Sequence, residues 1–322
     1  MIHPIPPGTR DVLPDEMREL RAISEALRST FEQHGYGEVW TPTLEYEEVL
    51  RTGDESAAGS SYRLFDEGGA LLALRSDMTI PIARLIASRY ADTRPPIRLC
   101  YVAHAYRAVV RGSGQPREFL QAGIELVGAP PPDGDVEVVA VALAALEQAG
   151  LRRYRLGIGD GSLYRALLES FEVPAAERLP LLEALARRDL VGLEVRLQRL
   201  GLAPDAERLL ARLATLRGGP EVLDQVDGPL SGAVENLRRC YELLAERGLA
   251  DRVIIDLGLV RDLGYYTGAV FEVYDPAVGF ALGGGGRYDD LLGRFGRSLP
   301  ACGIAFDLQR VHVAQTEEER LG

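Results

Sequence analysis

The 322-residue chain carries a formal net charge of −12, and all 36 of its basic residues are arginine, so Schiff-base chemistry and the lysine-bearing P-loop are excluded. The acidic balance argues against a protein that grips many nucleic-acid phosphates, because that requires clustered positive charge, and no such cluster stands in the sequence. No stretch approaches the roughly 18 apolar residues of a membrane helix, and MIHPIPPGTRD lacks the form of a signal peptide, so a cytoplasmic protein without membrane contact is expected.

After PPGTRDVLP, Met17, Leu20, Ile23, Leu27 and Phe31 recur at three- and four-residue steps. This spacing predicts a helix that starts at Pro14 and breaks at His34-Gly35-Tyr36-Gly37. EVWTPTLE reads as a short strand that Pro42 confines to a sheet edge or strand end. RLFDEGGALLALRSD reads as a hairpin turning at Gly68-Gly69, followed by a helix from residue 79 to about 90. Residues 97–104 and 118–127 are strand-like and are joined through RAVVRGSGQP; APPPDGD then breaks the chain.

Between residues 163 and 248, segments rich in leucine, alanine and arginine follow one another at helical spacing with no strand signal. Strands return in RVIIDLG, GAVFEVYD and GFALGGGGRYD, and CGIAFDLQRV reads as a strand passing into a final helix. The polar tail TEEERLG is expected to fray. This order predicts the α+β class, with residues 1–162 and 249–322 sharing one mixed sheet and residues 163–248 forming an inserted helical domain. Cys100, Cys240 and Cys302 lie far apart with no histidine at ligand spacing, so neither disulfide nor metal is expected.

Four polar groupings stand beside strand-like or glycine-rich sequence: RSDMT, residues 106–125, RDLGYYTG and GGGGRYDD. Each has an ordinary explanation when taken alone. Ser and Asp favour helix starts as caps; a glycine run serves turns and close backbone packing as readily as phosphate binding.

Taken in order, they resemble the class II aminoacyl-tRNA synthetase catalytic domain in its histidyl form. PPGTRDVLP looks like that family's opening signature, and the first helix with the Pro42 segment is similar to its dimer-forming first motif. YRAVVRGSGQPREFLQAGIE matches the second motif, RDLGYYTGAVFE and GGGGRYDDLL resemble the two segments specific to histidyl enzymes, and GIAFDLQR is similar to the third motif. The resemblance implies a mixed, mainly antiparallel sheet flanked by helices. It also implies a pocket for free histidine. Asp77 and Thr79 would meet the ammonium, Arg261 would fork onto the carboxylate, and Gln121 would bridge them. Glu125 shares a strand face with Gln121; with Tyr266, and with Tyr265 and Tyr288 beside it, it would fix the two ring nitrogens.

The departures from the synthetase pattern fall on ATP and tRNA. Arg107 is followed by Ala108 and Val109 where that pattern reads Arg-x-Glu, Gln115 replaces a phosphate-binding arginine, and Gly264 replaces an aspartate. Arg107, Gln115 and Arg310 therefore mark a vestigial nucleotide site. The sequence stops about a dozen residues after the third motif, so no anticodon-binding domain and no tRNA partner are expected. This combination resembles the regulatory subunit of ATP phosphoribosyltransferase, which partners a short catalytic subunit in the first step of histidine biosynthesis. The resemblance implies a non-catalytic chain without cofactor that forms a homodimer through the first motif, joins a hetero-oligomer and mediates feedback by L-histidine. Two further readings are a truncated synthetase that activates histidine with ATP and a stand-alone histidine sensor.

Overall fold

The computed structural model describes residues 4–55, 61–109, 115–226, 230–261 and 264–321. The apolar stripe after Pro14 forms helix α1 (Pro14–Gln33), which buries Leu20, Ile23, Leu27 and Phe31. EVWTPTLE does not make one strand. It divides into β1 (Gly37–Glu38) and β2 (Leu44–Tyr46), which lie in different sheets. Pro42 falls between them, where its missing N–H interrupts no ladder.

Helix α2 (Glu47–Gly53) leads to the expected hairpin of β3 (Arg63–Phe65) and β4 (Leu71–Leu74), with Gly69 at φ 82° in the turn. Together β2, β4 and β3 form a small three-stranded sheet. Helix α3 (Thr79–Arg89) and the long strands β5 (Ile97–Tyr106) and β6 (Glu118–Val127) follow as predicted. Part of their connection, 110–114, lies outside the described residues, as do 262–263 of RDLGYYTG. Helix α4 (Asp133–Gln148) was not anticipated, because VEVVAVALAAL is apolar on nearly every face and carries no helical period.

Strand β7 (Arg155–Asp160) opens onto helices α5 (Gly161–Ser170), α6 (Ala175–Ala186), α7 (Leu190–Leu200) and α8 (Pro204–Leu213). A two-residue strand, β8 (Arg217–Gly218), lies within this helical stretch, where no strand was expected. It is too short to show periodicity and is held by pairing to β9 (Val253–Asp256), which follows helix α9 (Ser231–Glu246). The chain closes with β10 (Ala269–Tyr274), β11 (Ala281–Arg287), β12 (Ala301–Asp307) and α10 (Leu308–Leu321). TEEERLG continues α10 as helix through Leu321, and Glu318 accepts backbone N–H bonds from Arg152 and Arg153.

The main sheet has nine strands in the order β1-β5-β6-β12-β11-β10-β7-β9-β8. Its pairings are antiparallel except β1 with β5 and β7 with β9. Parallel neighbours need a long crossover, and the helices from α5 to α9 supply it for β7 and β9. The two strand-rich parts thus share one mixed sheet, as predicted.

One face, carrying Ile124, Leu126, Ile304, Phe306, Phe271 and Ile158, packs against α1, α4, α10 and the helical stretch in one continuous core. The other face bears Leu99, Tyr101, Val127, Val270 and Ala301 beneath α2 and α3. An ion pair ties these layers together. Arg287, 2% exposed, donates from Nε to Asp135 at the start of α4 (2.9 Å) and from Nη1 to Asp289 (2.9 Å), which also accepts from Ala301 N (2.9 Å).

Removing one partner of a buried pair leaves the other charge uncompensated, at about 3–5 kcal/mol. Asp135→Ala is therefore expected to lower unfolding stability by about that amount; urea unfolding checks it, and a loss below about 1 kcal/mol would show that Asp289 alone suffices for Arg287.

Candidate functional site

The second face of the sheet is unusually small in its side chains. Because partners across an antiparallel ladder point the same way, the pairings Glu125 with Gly303 and Gly303 with Gly286 set these three in one row. Gly123, Ala305 and Gly284 form the next row. These small residues clear space for larger ones. A Cβ on Gly284 would lie 1.9 Å from the Arg261 guanidinium, one on Gly286 would lie 2.8 Å from the Tyr266 ring, and one on Gly303 would strike the Glu125 carboxylate at 1.8 Å. The glycine run is thus neither a turn nor a phosphate cradle, but a floor on which functional side chains lie.

Above this floor is a cavity of about 310 Å³. All eleven residues singled out in the sequence line it: Asp77, Thr79, Arg107, Gln115, Gln121, Glu125, Arg261, Tyr265, Tyr266, Tyr288 and Arg310. Strand β6 supplies Gln121 and Glu125, and the start of α3 supplies Asp77 and Thr79. The tyrosines form one wall, with the rings of Tyr265 and Tyr266 4.9 Å apart and those of Tyr265 and Tyr288 5.9 Å apart, edge to face. Burial pushes all three phenols up, so they remain protonated at neutral pH.

Glu125 is the most enclosed charge-bearing group of the cavity, at 2% exposure. Burial pushes its carboxyl up to about 7, against the bonds that Tyr288 and Thr79 donate to it. Thr79 Oγ1 donates at 2.8 Å and Tyr288 Oη bonds the other oxygen. In this state the Thr79 hydroxyl proton is committed to Glu125, which leaves its oxygen as an acceptor. Asp77 does serve as a cap, accepting from Ile80 N at 3.1 Å, yet it also faces the cavity. Its carboxyl is pushed above the usual range, chiefly by burial.

On the opposite side Arg261 reaches Phe271 O at 3.4 Å and Glu272 at 3.8 Å. Arg107 lies 4.9 Å over the Phe119 ring, while Arg310 donates to Ala281 O at 2.8 Å. Gln121 Oε1 and Arg261 Nε are buried with no hydrogen-bond partner among the described residues. Buried polar atoms are rarely left so, and both belong to the cavity.

Sequence reasoning missed several lining residues. Glu272 could have been found as the polar residue in the otherwise apolar AVFEVY, and Asp307 as the carboxylate ending GIAFD. Ala186 comes from α6 in the helical stretch and has no local signal. Among the described residues no group of histidine, cysteine and carboxylates could hold a metal, and no helix is long and apolar enough to cross a membrane.

Comparison with known proteins sets this site in a family. The histidyl-tRNA synthetase family matches residues 8–311. The ATP phosphoribosyltransferase regulatory subunit of Desulforamulus reducens is 42% identical over 313 residues, covering 96% of this chain and 78% of that protein. The chain belongs to the ATP phosphoribosyltransferase regulatory subunit family. Its fold is that of the histidyl-tRNA synthetases. A solved structure described as an ATP phosphoribosyltransferase regulatory subunit/histidyl-tRNA synthetase from Bacillus halodurans superposes with TM-score 0.89 at 34% identity, covering 98% of this chain and 84% of that one. A histidine–tRNA ligase subunit from Alicyclobacillus acidocaldarius superposes with TM-score 0.87 at 34% identity, covering 99% of both chains.

The buried carboxyl has a cost with a definite sign. The unfolded chain releases the Glu125 proton near the ordinary 4.5 and the folded chain near 7, so the folded state holds more protons and stability falls as pH rises between those values. At full ionisation this amounts to about 3 kcal/mol. Glu125→Gln is expected to raise the melting temperature relative to wild type at pH 8 and to change it little at pH 5. Melting curves of both proteins at both pH values check this; equal differences at the two would show that Glu125 carries no such cost.

Proposed function

We propose that the cavity binds free L-histidine and that the chain is the non-catalytic, histidine-sensing subunit of an ATP phosphoribosyltransferase hetero-oligomer. The observation that carries the reading is the charge arrangement. Two buried carboxyls, Asp77 and Glu125, two half-buried ones, Glu272 and Asp307, and three guanidiniums, Arg107, Arg261 and Arg310, line one cavity. A zwitterionic amino acid with a hydrogen-bonding ring complements such an arrangement group by group. Asp77 and Thr79 receive the ammonium, Gln121 Oε1 supplies a further acceptor, Arg261 takes the carboxylate, and Glu125 with Tyr266 reads the imidazole. The name of the relatives adds the partner: a catalytic phosphoribosyltransferase subunit whose activity the complex sets.

A second reading, activation of histidine with ATP, is favoured by the retained Arg107 and Arg310 and by the synthetase wording of the two structural neighbours. Against it, Val109 and Gln115 stand where the second motif needs a carboxylate and a phosphate-binding arginine. Histidine-dependent exchange of pyrophosphate into ATP separates the two, and none is expected.

We also read the small sheet as a dimer surface. Its pairings set Leu44, Tyr46, Leu64, Leu72 and Leu74 on one face, and Trp40, four residues before Leu44, is 88% exposed. A contiguous apolar face of this kind seeks a partner, and its strand β2 follows directly on the Pro42 segment, which with the first helix resembles the dimer-forming first motif of the synthetase pattern. Light scattering of the purified chain is expected to give at least a dimer mass at micromolar concentration; a monomer would remove this part of the reading.

Titration calorimetry is expected to detect L-histidine binding by the chain or by its complex, in preference to other amino acids. Glu125→Ala leaves a ring N–H without an acceptor, at about 1–3 kcal/mol, so affinity is expected to fall about tenfold to a hundredfold. The mutant complex should lose sensitivity to histidine inhibition and keep its uninhibited activity. Unchanged binding would make Glu125 structural, and lost binding with unchanged inhibition would move the regulatory site elsewhere.

A further inference from the structure

Helix α6 ends with Arg188 at φ 56°, in the left-handed region, where Arg188 N bonds Leu185 O and Asp189 N bonds Ala184 O, each at 2.9 Å. This is the closing turn at which glycine is the favoured residue, because it alone adopts the conformation without penalty. The conformation by itself is not the signal, since exposed Glu172 closes α5 in the same region. The bond that Arg188 makes is. Its guanidinium forks onto Asp256 at the end of β9, with Nη2 at 2.5 Å from Oδ2 and Nη1 at 3.4 Å from Oδ1.

Asp256 begins the turn that delivers the ligand arginine. Its Oδ1 accepts from Gly258 N at 3.0 Å, and its carbonyl accepts from Leu259 N at 3.2 Å. The turn lies close on the sheet: a Cβ on Gly159 would stand 2.6 Å from Asp256 O and 2.9 Å from Leu259 Cβ. It also lies close on the helical stretch, where a Cβ on Gly258 would meet Ala214 O at 2.3 Å. Two residues further on, Arg261 enters the cavity, and Ala186, two residues before Arg188, lines the same cavity. Arg188 therefore fastens the end of α6 to the segment that aims Arg261.

We propose that Arg188 is a positioning residue: its ion pair with Asp256 fixes the segment that carries Arg261, so recognition of a ligand carboxylate depends on where the helical stretch sits. This rests on the amino-acid-binding reading above and deepens it. Charge pairs hold geometry best when bidentate and partly buried, and Asp256 is buried. A point charge in the place of the fork would hold the segment less firmly. The helical stretch thereby becomes part of the binding site, although only Ala186 of α6 touches the cavity among the described residues.

The test uses the full-length chain and two ligands. L-histidine offers a carboxylate to Arg261; histidinol has the same ring and amine without it. Arg188→Gly suits the backbone conformation but leaves buried Asp256 without its guanidinium, so a lowered melting temperature is expected, and both affinities are measured well below it, where the variant is folded. Histidine affinity is expected to fall about threefold to tenfold, inside the range spanned by couplings of this kind, while histidinol affinity stays at the wild-type value. Arg188→Lys is expected to restore part of the histidine affinity.

Equal losses for both ligands, or wild-type histidine affinity in Arg188→Gly, would overturn the positioning role. A wild-type chain that binds neither ligand, alone or in its complex, would overturn the functional reading and this proposal with it.

Discussion

A carboxyl buried as completely as Glu125 holds its charge only if hydroxyls, amides or a ligand take the place of water around it. Thr79 and Tyr288 do part of this, and much of the surrounding structure follows from making room for the arrangement. Gly303 must lack a side chain because the Glu125 carboxylate fills its place, and Gly284 and Gly286 must do so for Arg261 and Tyr266. A sheet face of glycines offers little apolar area for packing. The hydrophobic stabilisation is accordingly concentrated on the opposite face, beneath α1, α4 and α10, where Leu27, Phe31, Ile124 and Phe306 are fully enclosed. The sheet divides its duties, with one side holding the fold together and the other kept open and polar for the site.

The same reasoning separates the amino-acid end of the cavity from the nucleotide end. Binding a zwitterion requires acids and guanidiniums in one cavity, and four carboxyls, Asp77, Glu125, Glu272 and Asp307, with three guanidiniums, Arg107, Arg261 and Arg310, line this one. Transferring an adenylyl group requires more: positive charge at several phosphate oxygens and a carboxylate for the motif that organises them. Gln115 supplies no charge and Val109 no carboxylate. Arg310 is engaged by Ala281 O and lies 3.5 Å from Asp307. The groups that the proposed reading assigns to an amino acid are thus all present in the cavity, while those that would spend ATP on it are reduced.

The legibility of this design in the sequence was uneven, for physical reasons. Helix α1 was readable because it has a single buried face and hence a period, and strands β5 and β6, though largely buried on both faces, were readable because a loop punctuated by glycine and proline bounds them. Helix α4 was not, since Val136, Val138, Val139, Val141, Ala142 and Leu143 are all buried and leave no period. Strand β8 exists only through its neighbour β9. The site residues were legible through the family resemblance and not through local pattern. Strand alternation alone placed Gln121 and Glu125 together, but nothing local joins Tyr288 to Glu125 across 163 positions. Ala186, Arg188 and Asp256 escaped notice because their partners lie in another part of the chain, and an arginine at a helix end reads as an ordinary solvated charge.

For histidine to alter a partner's activity, it must bind two arrangements of the complex with unequal affinity; tight binding to both alike would change nothing. The cavity is suited to such a difference because its walls do not belong to one rigid element. Its floor is sheet, its ammonium end is the start of α3, its carboxylate end is a turn lying against Ala214 of the helical stretch, and its rim includes Ala186. On the proposed reading, a displacement of the helices would leave the Glu125 contact on β6 intact and move the Arg261 contact, together with Tyr266, whose carbonyl accepts from Arg165 of α5 at 3.2 Å. On the proposed reading, ligand recognition is divided between a part fixed on β6, which carries Glu125, and a part that registers the position of the helices. Reciprocity requires that whatever moves those helices changes histidine affinity by the same factor that histidine changes their equilibrium. On this reading, a partner that docks against the helical stretch is coupled to the ligand through the turn that carries Arg261.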